Sequence, residues 1–173
     1  MVTSLYGRKW LQSSKTILAL CDSTPQRIVL RPPVVTHVQH YRQTWMFASE
    51  AGGQLFGTIS LDAVNVEIAT GPYPSDERSR YRYRSNAKAA QEAIEHQAKN
   101  GLLYLGEWHT HAEDHPTASS LDVDAMKRLI AHSRLNSSAL LMLIVGLKKN
   151  AKGMALFTAT SNGSEQWALS SAD

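Results

Sequence analysis

Residues Glu107-Trp-His-Thr-His-Ala-Glu-Asp-His-Pro-Thr-Ala-Ser-Ser-Leu-Asp122 gather two histidines, a hydroxyl and a carboxylate into one short stretch, and the rest of the chain is read outward from them. Residues 102 to 109 have the character of a strand, in which side chains two apart share a face, so His109 and His111 point the same way. A helix starting at Ser119 puts Asp122 in line with Ala125, Met126 and Leu129, the face expected to be buried. A buried carboxylate needs a partner, and a metal ion is one. Asp124 lines up instead with Lys127 and Arg128, where a surface ion pair suffices. His109, His111 and Asp122 therefore read as the protein ligands of a catalytic zinc, whose nitrogen and oxygen donors sit at roughly 2.0–2.2 Å with the fourth position left to water.

Taken singly, each half of this pattern has a plain explanation. Seven histidines in 173 residues make a lone His-x-His pair unspecific. Ser119-x-x-Asp122 matches a capping box with Asp in place of Glu or Gln, a common way to start a helix. The two halves in this order, with Asp122 on the buried face, favour the metal reading.

The full pattern His109-x-His111-x7-Ser119-x-x-Asp122 resembles the signature of the JAMM metallopeptidases, the catalytically competent MPN domains. Such domains also carry a glutamate before a glycine-rich strand, and Glu50-Ala-Gly-Gly-Gln-Leu-Phe-Gly57 is similar to that element. The resemblance spans about residues 25 to 160. It implies an α/β fold: a single MPN (cytidine-deaminase-like) domain with a mixed central sheet flanked by helices, over residues 25–173 after an N-terminal extension, 1–24. It implies that His109, His111 and Asp122 hold Zn2+, that Glu50 takes a proton from the attacking water, and that Ser119 helps hold the oxyanion. Related bacterial sequences usually have proline where this chain has Ala112 and Ala118, so a more flexible 112–118 loop is expected.

The implied activity is peptidase or isopeptidase cleavage at the C-terminal tail of a ubiquitin-like modifier. More narrowly, the chain resembles the bacterial deconjugating peptidases of anti-phage CBASS operons. That resemblance implies a CD-NTase C-terminal tail as protein substrate and an E1-E2-like ligase as the operon partner that makes the linkage. Two alternatives stay open: a JAMM peptidase for another ubiquitin-like or sulfur-carrier protein, and a non-catalytic MPN scaffold.

Several neighbours of the motif carry two readings. Glu107 shares the His109 face by alternation and is either a group behind the ligands or a rival of Glu50 as base. His115 is either a substrate contact or a solvated loop histidine, and Glu113 and Asp114 read as exposed loop charges. In Arg78-x-Arg80-x-Arg82-x-Arg84, an extended strand would put all four arginines on one face and Tyr81 and Tyr83 on the other. That is either a solvated edge strand or a dock for an acidic partner.

The remaining composition sets bounds. With 43% hydrophobic residues the chain reads as one domain with a sizeable core. Cys21 is the only cysteine, which excludes an intrachain disulfide and fits a reducing cytoplasm. No apolar run approaches the roughly 20 residues of a membrane span. A net charge of +3 is too mild to argue for nucleic acid. The pattern predicts strands at 26–31, 54–60 and 63–70, and helices from Pro32-Pro33 to about Trp45 and from Asn86 to Lys99 with Gly101 behind it. It then predicts the metal-bearing strand, a helix from Ser119 to about Arg134, and strands at 139–145, 153–159 and 165–169. The run Ala139 to Val145 lacks polar alternation and should be a central strand covered on both faces.

Overall fold

The computed structural model describes residues 14–133, 135 and 137–172. Ten strands and three α-helices follow in the order β1 (Ile17–Cys21), β2 (Thr24–Leu30), α1 (Pro32–His40), β3 (Gly52–Ile59), β4 (Ala63–Ala69), β5 (Glu77–Ser79), β6 (Arg82–Arg84), α2 (Ala87–Lys99), β7 (Leu103–Thr110), α3 (Ser120–His132), β8 (Leu140–Val145), β9 (Met154–Thr160) and β10 (Gly163–Ser171).

The expected mixed sheet is present, but it closes into a barrel in the order β1-β10-β9-β8-β7-β3-β4-β2. Closure is the work of β1, which pairs antiparallel with both β10 and β2. Its Ile17 and Ala19 are buried, two apart on one face. This strand lies ahead of residue 25, where the sequence reading began the domain, because a five-residue run offers little pattern of its own. Mixed character comes from two parallel pairs, β2 with β4 and β7 with β8; the other pairs of the barrel are antiparallel.

Strand β8 is covered on both faces, as its unbroken apolar sequence requires. Leu141, Leu143 and Val145 join the main core with Trp108 and with Val34, Val35 and Val38 of α1. Leu140, Met142 and Ile144 form a second core with Met126 of α3 and Phe157 of β9. Burying six such side chains is worth on the order of 10 kcal/mol in transfer free energy before chain entropy is subtracted. Beside β8, Gly106 of β7 has φ +147 and lies against it so closely that a Cβ would meet the Leu141 carbonyl oxygen at 2.0 Å. Only glycine permits that approach.

Two local expectations are corrected, the end of α1 and the arginine-rich strand. Helix α1 begins on Pro32-Pro33 but ends at His40, not Trp45, because Tyr41 leaves helical geometry at φ -93, ψ 10 and the Arg42 Nε donates to the Gln39 carbonyl at 3.2 Å. Helix α2 is capped by Asn86, whose side chain accepts from Ala89 N, yet it buries Gln97 and leaves Ala87 and Ala98 exposed. The four arginines do not line one strand: the chain reverses at Arg80–Tyr81, pairing Arg78 with Tyr83 and Ser79 with Arg82 in a separate two-stranded hairpin. No helix among the described residues is long and apolar enough to cross a membrane.

Candidate metal centre

Strand β7 delivers the histidines. Trp108 and Thr110 face the core and are fully buried, so alternation turns Glu107 and His109 outward. His111 follows the strand directly, and its N–H still donates to the Val145 carbonyl at 2.9 Å, which keeps it aligned with His109. Helix α3 delivers the carboxylate from its first turn. Asp122 occupies the third helical position and completes a capping box: Ser119 Oγ accepts from Asp122 N at 3.2 Å, and Asp122 Oδ2 accepts from Ser119 N at 2.8 Å.

The capping reading of Ser119-x-x-Asp122 is the one seen, and the same cap aims the carboxylate toward the two histidines. His109 Nε2 lies 3.1 Å from His111 Nε2 and 3.3 Å from Asp122 Oδ1, and His111 Nε2 lies 3.5 Å from Asp122 Oδ2. A tetrahedral zinc with bonds of about 2.0–2.2 Å needs ligand–ligand edges of roughly 3.3–3.6 Å. One carboxylate oxygen stands near that spacing from each histidine, one donor atom from each of the three residues lies within 4.8 Å of the others, and their chemistry suits the ion. Asp124 is exposed and outside the group.

Electrostatics follow from the geometry. Burial raises the Asp122 carboxyl, but the hydrogen bond and charge of His109 and the Ser119 donors outweigh it and hold the group well below the usual carboxylate range. His111 is lowered by burial and by the neighbouring His109. Its Nδ1 is buried without a hydrogen-bond partner, with Glu113 Oε2 4.0 Å away. A neutral imidazole that offers Nε2 to a metal carries its proton on Nδ1, on the side where Glu113, read from sequence as an exposed loop charge, and the Thr117 backbone lie.

Glu50 lies just before β3. Thr110 ties the segment down, its N–H donating to the Ala51 carbonyl at 2.8 Å and its Oγ1 accepting from Ala51 N at 2.9 Å. The hairpin grips Glu50 from the other side: Glu50 N donates to the Ser79 carbonyl at 2.8 Å, and Arg78 Nε donates to the Glu50 carbonyl at 2.7 Å. Half-buried, its carboxyl is raised by desolvation to about 7, with His109 pulling down and Asp122 pushing up. Nothing in the sequence announced that the arginine-rich segment would brace this glutamate.

Glu107 is engaged elsewhere. It accepts from Tyr104 OH at 2.8 Å and Gln54 Nε2 at 3.3 Å, and Gln54 Oε1 in turn accepts from Tyr73 OH at 2.7 Å. Burial raises its carboxyl to about 6 against those donors. The 112–118 loop is held at several points despite Ala112 and Ala118. Leu147 N donates to the Glu113 carbonyl at 2.7 Å, Thr117 N to Glu113 Oε2 at 3.3 Å, and Lys148 Nζ lies 2.9 Å from His115 Nε2 and 3.6 Å from Asp114. His115 is thus paired with a lysine of the neighbouring turn.

Comparison with known proteins places the chain in a family. The family model for prokaryotic homologs of the JAB domain matches residues 33–160. Proteins named CD-NTase/cGAS isopeptidase are similar to this chain: one from Escherichia coli is 31% identical, covering 76% of this chain and 83% of its own. Another from Pseudomonas aeruginosa is 38% identical, covering 66% and 73%. A third from Vibrio cholerae is 34% identical, covering 76% and 83%. The solution structure of a Desulfitobacterium hafniense protein superposes with a TM-score of 0.56 at 25% identity, covering 79% of this chain and 87% of that one. With the family model covering most of the barrel and the gathered His109, His111 and Asp122, the chain belongs to the prokaryotic homologs of the JAB domain.

Proposed function

We propose that this protein is a cytoplasmic zinc-dependent isopeptidase that releases a CD-NTase from a linkage made through its C-terminal tail, in the manner of ubiquitin-like deconjugation in CBASS defence. The observation that carries the proposal is the triangle of His109 Nε2, His111 Nε2 and Asp122 carboxylate with 3.1–3.5 Å edges. The relatives' name supplies the substrate class. An E1-E2-like ligase is the expected source of the linkage.

A zinc held by His109, His111 and Asp122 would supply a Lewis acid that acidifies water toward a pKa of about 7 and polarises the scissile carbonyl. Glu50 accepts a proton from the attacking water and passes it to the departing amine, a transfer worth roughly 10²–10⁴ in rate. Arg78 and the Ser79 carbonyl hold the Glu50 backbone for that task. Ser119 Oγ donates to Asp122 Oδ2 at 2.6 Å in the resting arrangement, so its hydroxyl turns from that oxygen to serve the oxyanion.

The test uses the wild type and Glu50→Ala, with zinc per chain measured by atomic emission. The substrate is a CD-NTase joined through its C-terminus to a reporter protein. Stoichiometric zinc in both, with cleavage by the wild type alone, is the expected result. Zinc with no cleavage by either would refute the substrate assignment, and no zinc in either would refute the metal centre.

A further inference from the structure

The chain between α1 and Glu50 exposes a run of apolar side chains that the barrel does not need. Trp45, Met46 and Phe47 are 61%, 69% and 73% exposed, and the Trp45 and Phe47 rings meet edge-on at 5.7 Å. Isolated exposed apolar residues are ordinary, but a contiguous group of this kind marks a binding surface. Tryptophan, methionine, phenylalanine and arginine are the residues enriched at protein interfaces.

The loop's backbone is fastened while its side chains stay out. Arg80 Nη1 donates to the carbonyls of Trp45 and Met46. Buried Gln43 donates through Nε2 to the Ala48 carbonyl at 3.1 Å and the Arg80 carbonyl at 2.9 Å. Its Oε1 faces Thr110 Oγ1 at 3.5 Å, between the two histidines. A loop fixed this way loses little entropy when a partner docks.

Beside it lies an open groove of about 360 Å³ whose walls include Trp45, Phe47, His40, Arg42 and Arg78, with no acidic residue among its lining. Arg78 belongs both to this wall and to the brace on Glu50, so one side chain links the groove to the backbone of that glutamate. We infer that this aromatic and cationic pocket docks a segment of the protein substrate close to the scissile bond, one that carries an apolar side chain next to a carboxylate. The inference rests on the proposed isopeptidase function and names the surface that selects its substrate. Apolar walls take the side chain, and the basic side chains draw the carboxylate.

Calorimetry on the zinc-loaded Glu50→Gln protein with the uncleaved CD-NTase–reporter fusion tests this, alone and with Trp45→Ala and Phe47→Ala added. The aromatic substitutions are expected to weaken binding at least tenfold, about 1.4 kcal/mol, with zinc content and melting temperature unchanged. In the Glu50 wild-type background they should raise KM and leave kcat alone, and added salt should weaken binding of the parent. Unchanged affinity, or no binding by the parent, overturns the docking assignment whether or not the fusion is cleaved. Tight binding lost in the aromatic variants without cleavage by the wild type would instead sink the isopeptidase reading. Sedimentation closes the remaining case: a dimer that the variants convert to monomer would show that a second copy, not substrate, covers the patch.

Discussion

Replacing Asp122 by asparagine separates the two tasks this residue performs. The amide is nearly isosteric and keeps an oxygen for the Ser119 N–H, which donates to Asp122 at 2.8 Å, so the α3 cap is largely spared. In excess chelator the loss of a first-turn negative charge should cost about 1 kcal/mol, to which the lost contact with His109 adds. The metal is another matter, because one of three protein donors has become a poor ligand. Outer partners of metal ligands alone cost roughly 10–100-fold in affinity, so a ligand itself should cost at least about 100-fold. With zinc at about 1,000 times the wild-type Kd, bound metal stabilises by about 4 kcal/mol; at 100-fold weaker affinity the gain falls to about 1.4 kcal/mol. For a chain of this size each kcal/mol moves Tm by roughly 2–4 °C, so a zinc-induced shift of about 8–16 °C should shrink to about 3–6 °C. Thermal melts with and without zinc, run beside Asp124→Asn, decide the matter. An asparagine at 122 that keeps the full shift, or one at 124 that abolishes it, refutes the ligand assignment. In the metal-free protein the lowered Asp122 carboxyl contributes stability above the ordinary value of about 4 and loses it as pH falls through its folded value. The asparagine variant should lack that acid limb.

Three further outcomes are expected. Glu50→Gln should retain zinc and lose at least about 100-fold in kcat. Since base catalysis needs the ionised carboxylate, wild-type activity should rise with pH along a limb that Glu50→Gln lacks; that limb lies below the value of about 7 set by burial, because a bound cation favours the charged form. Glu107→Gln should keep both zinc and cleavage within a few-fold, as its carboxylate serves Tyr104 and Gln54; loss of cleavage with zinc intact would transfer the base to Glu107. Gly106→Ala should lower the melting temperature by several degrees, on the order of 2 kcal/mol or more, because its Cβ has no room beside Leu141; an unshifted melt would show that β7 and β8 can part without cost.

Periodicity and spacing made a large share of this molecule legible. Leu140–Val145 carries its two-sided burial in its composition, since a polar face is absent. His109 and His111 share a side by strand alternation, and helix periodicity from Ser119 puts Asp122 rather than Asp124 on the inward face, so the three residues gathered in the structure could be named from local rules alone. The closed barrel, the end of α1 at His40 and the reversal at Arg80–Tyr81 were not legible. Closure and reversal depend on partners far away in sequence, β10 for β1 and the carbonyls of Trp45 and Met46 for Arg80, whereas α1 ends in a local contact of Arg42 with Gln39 that no periodicity announces.

What the sequence determined by itself is the set of donor side chains that come together, because two histidines two apart on a strand and an aspartate at a helix start are placed by local rules. Only the tertiary structure decided which other carboxylates stand near them and in what surroundings. Glu107 lies two residues from His109 but is drawn into hydrogen bonds with Tyr104 and Gln54. Glu50, 59 positions before His109, is set beside the centre by β3 pairing with β7 and by the hairpin's grip on its backbone. Local pattern fixes where side chains point along one element, whereas the burial and charge that tune a carboxylate come from elements the chain brings together only on folding.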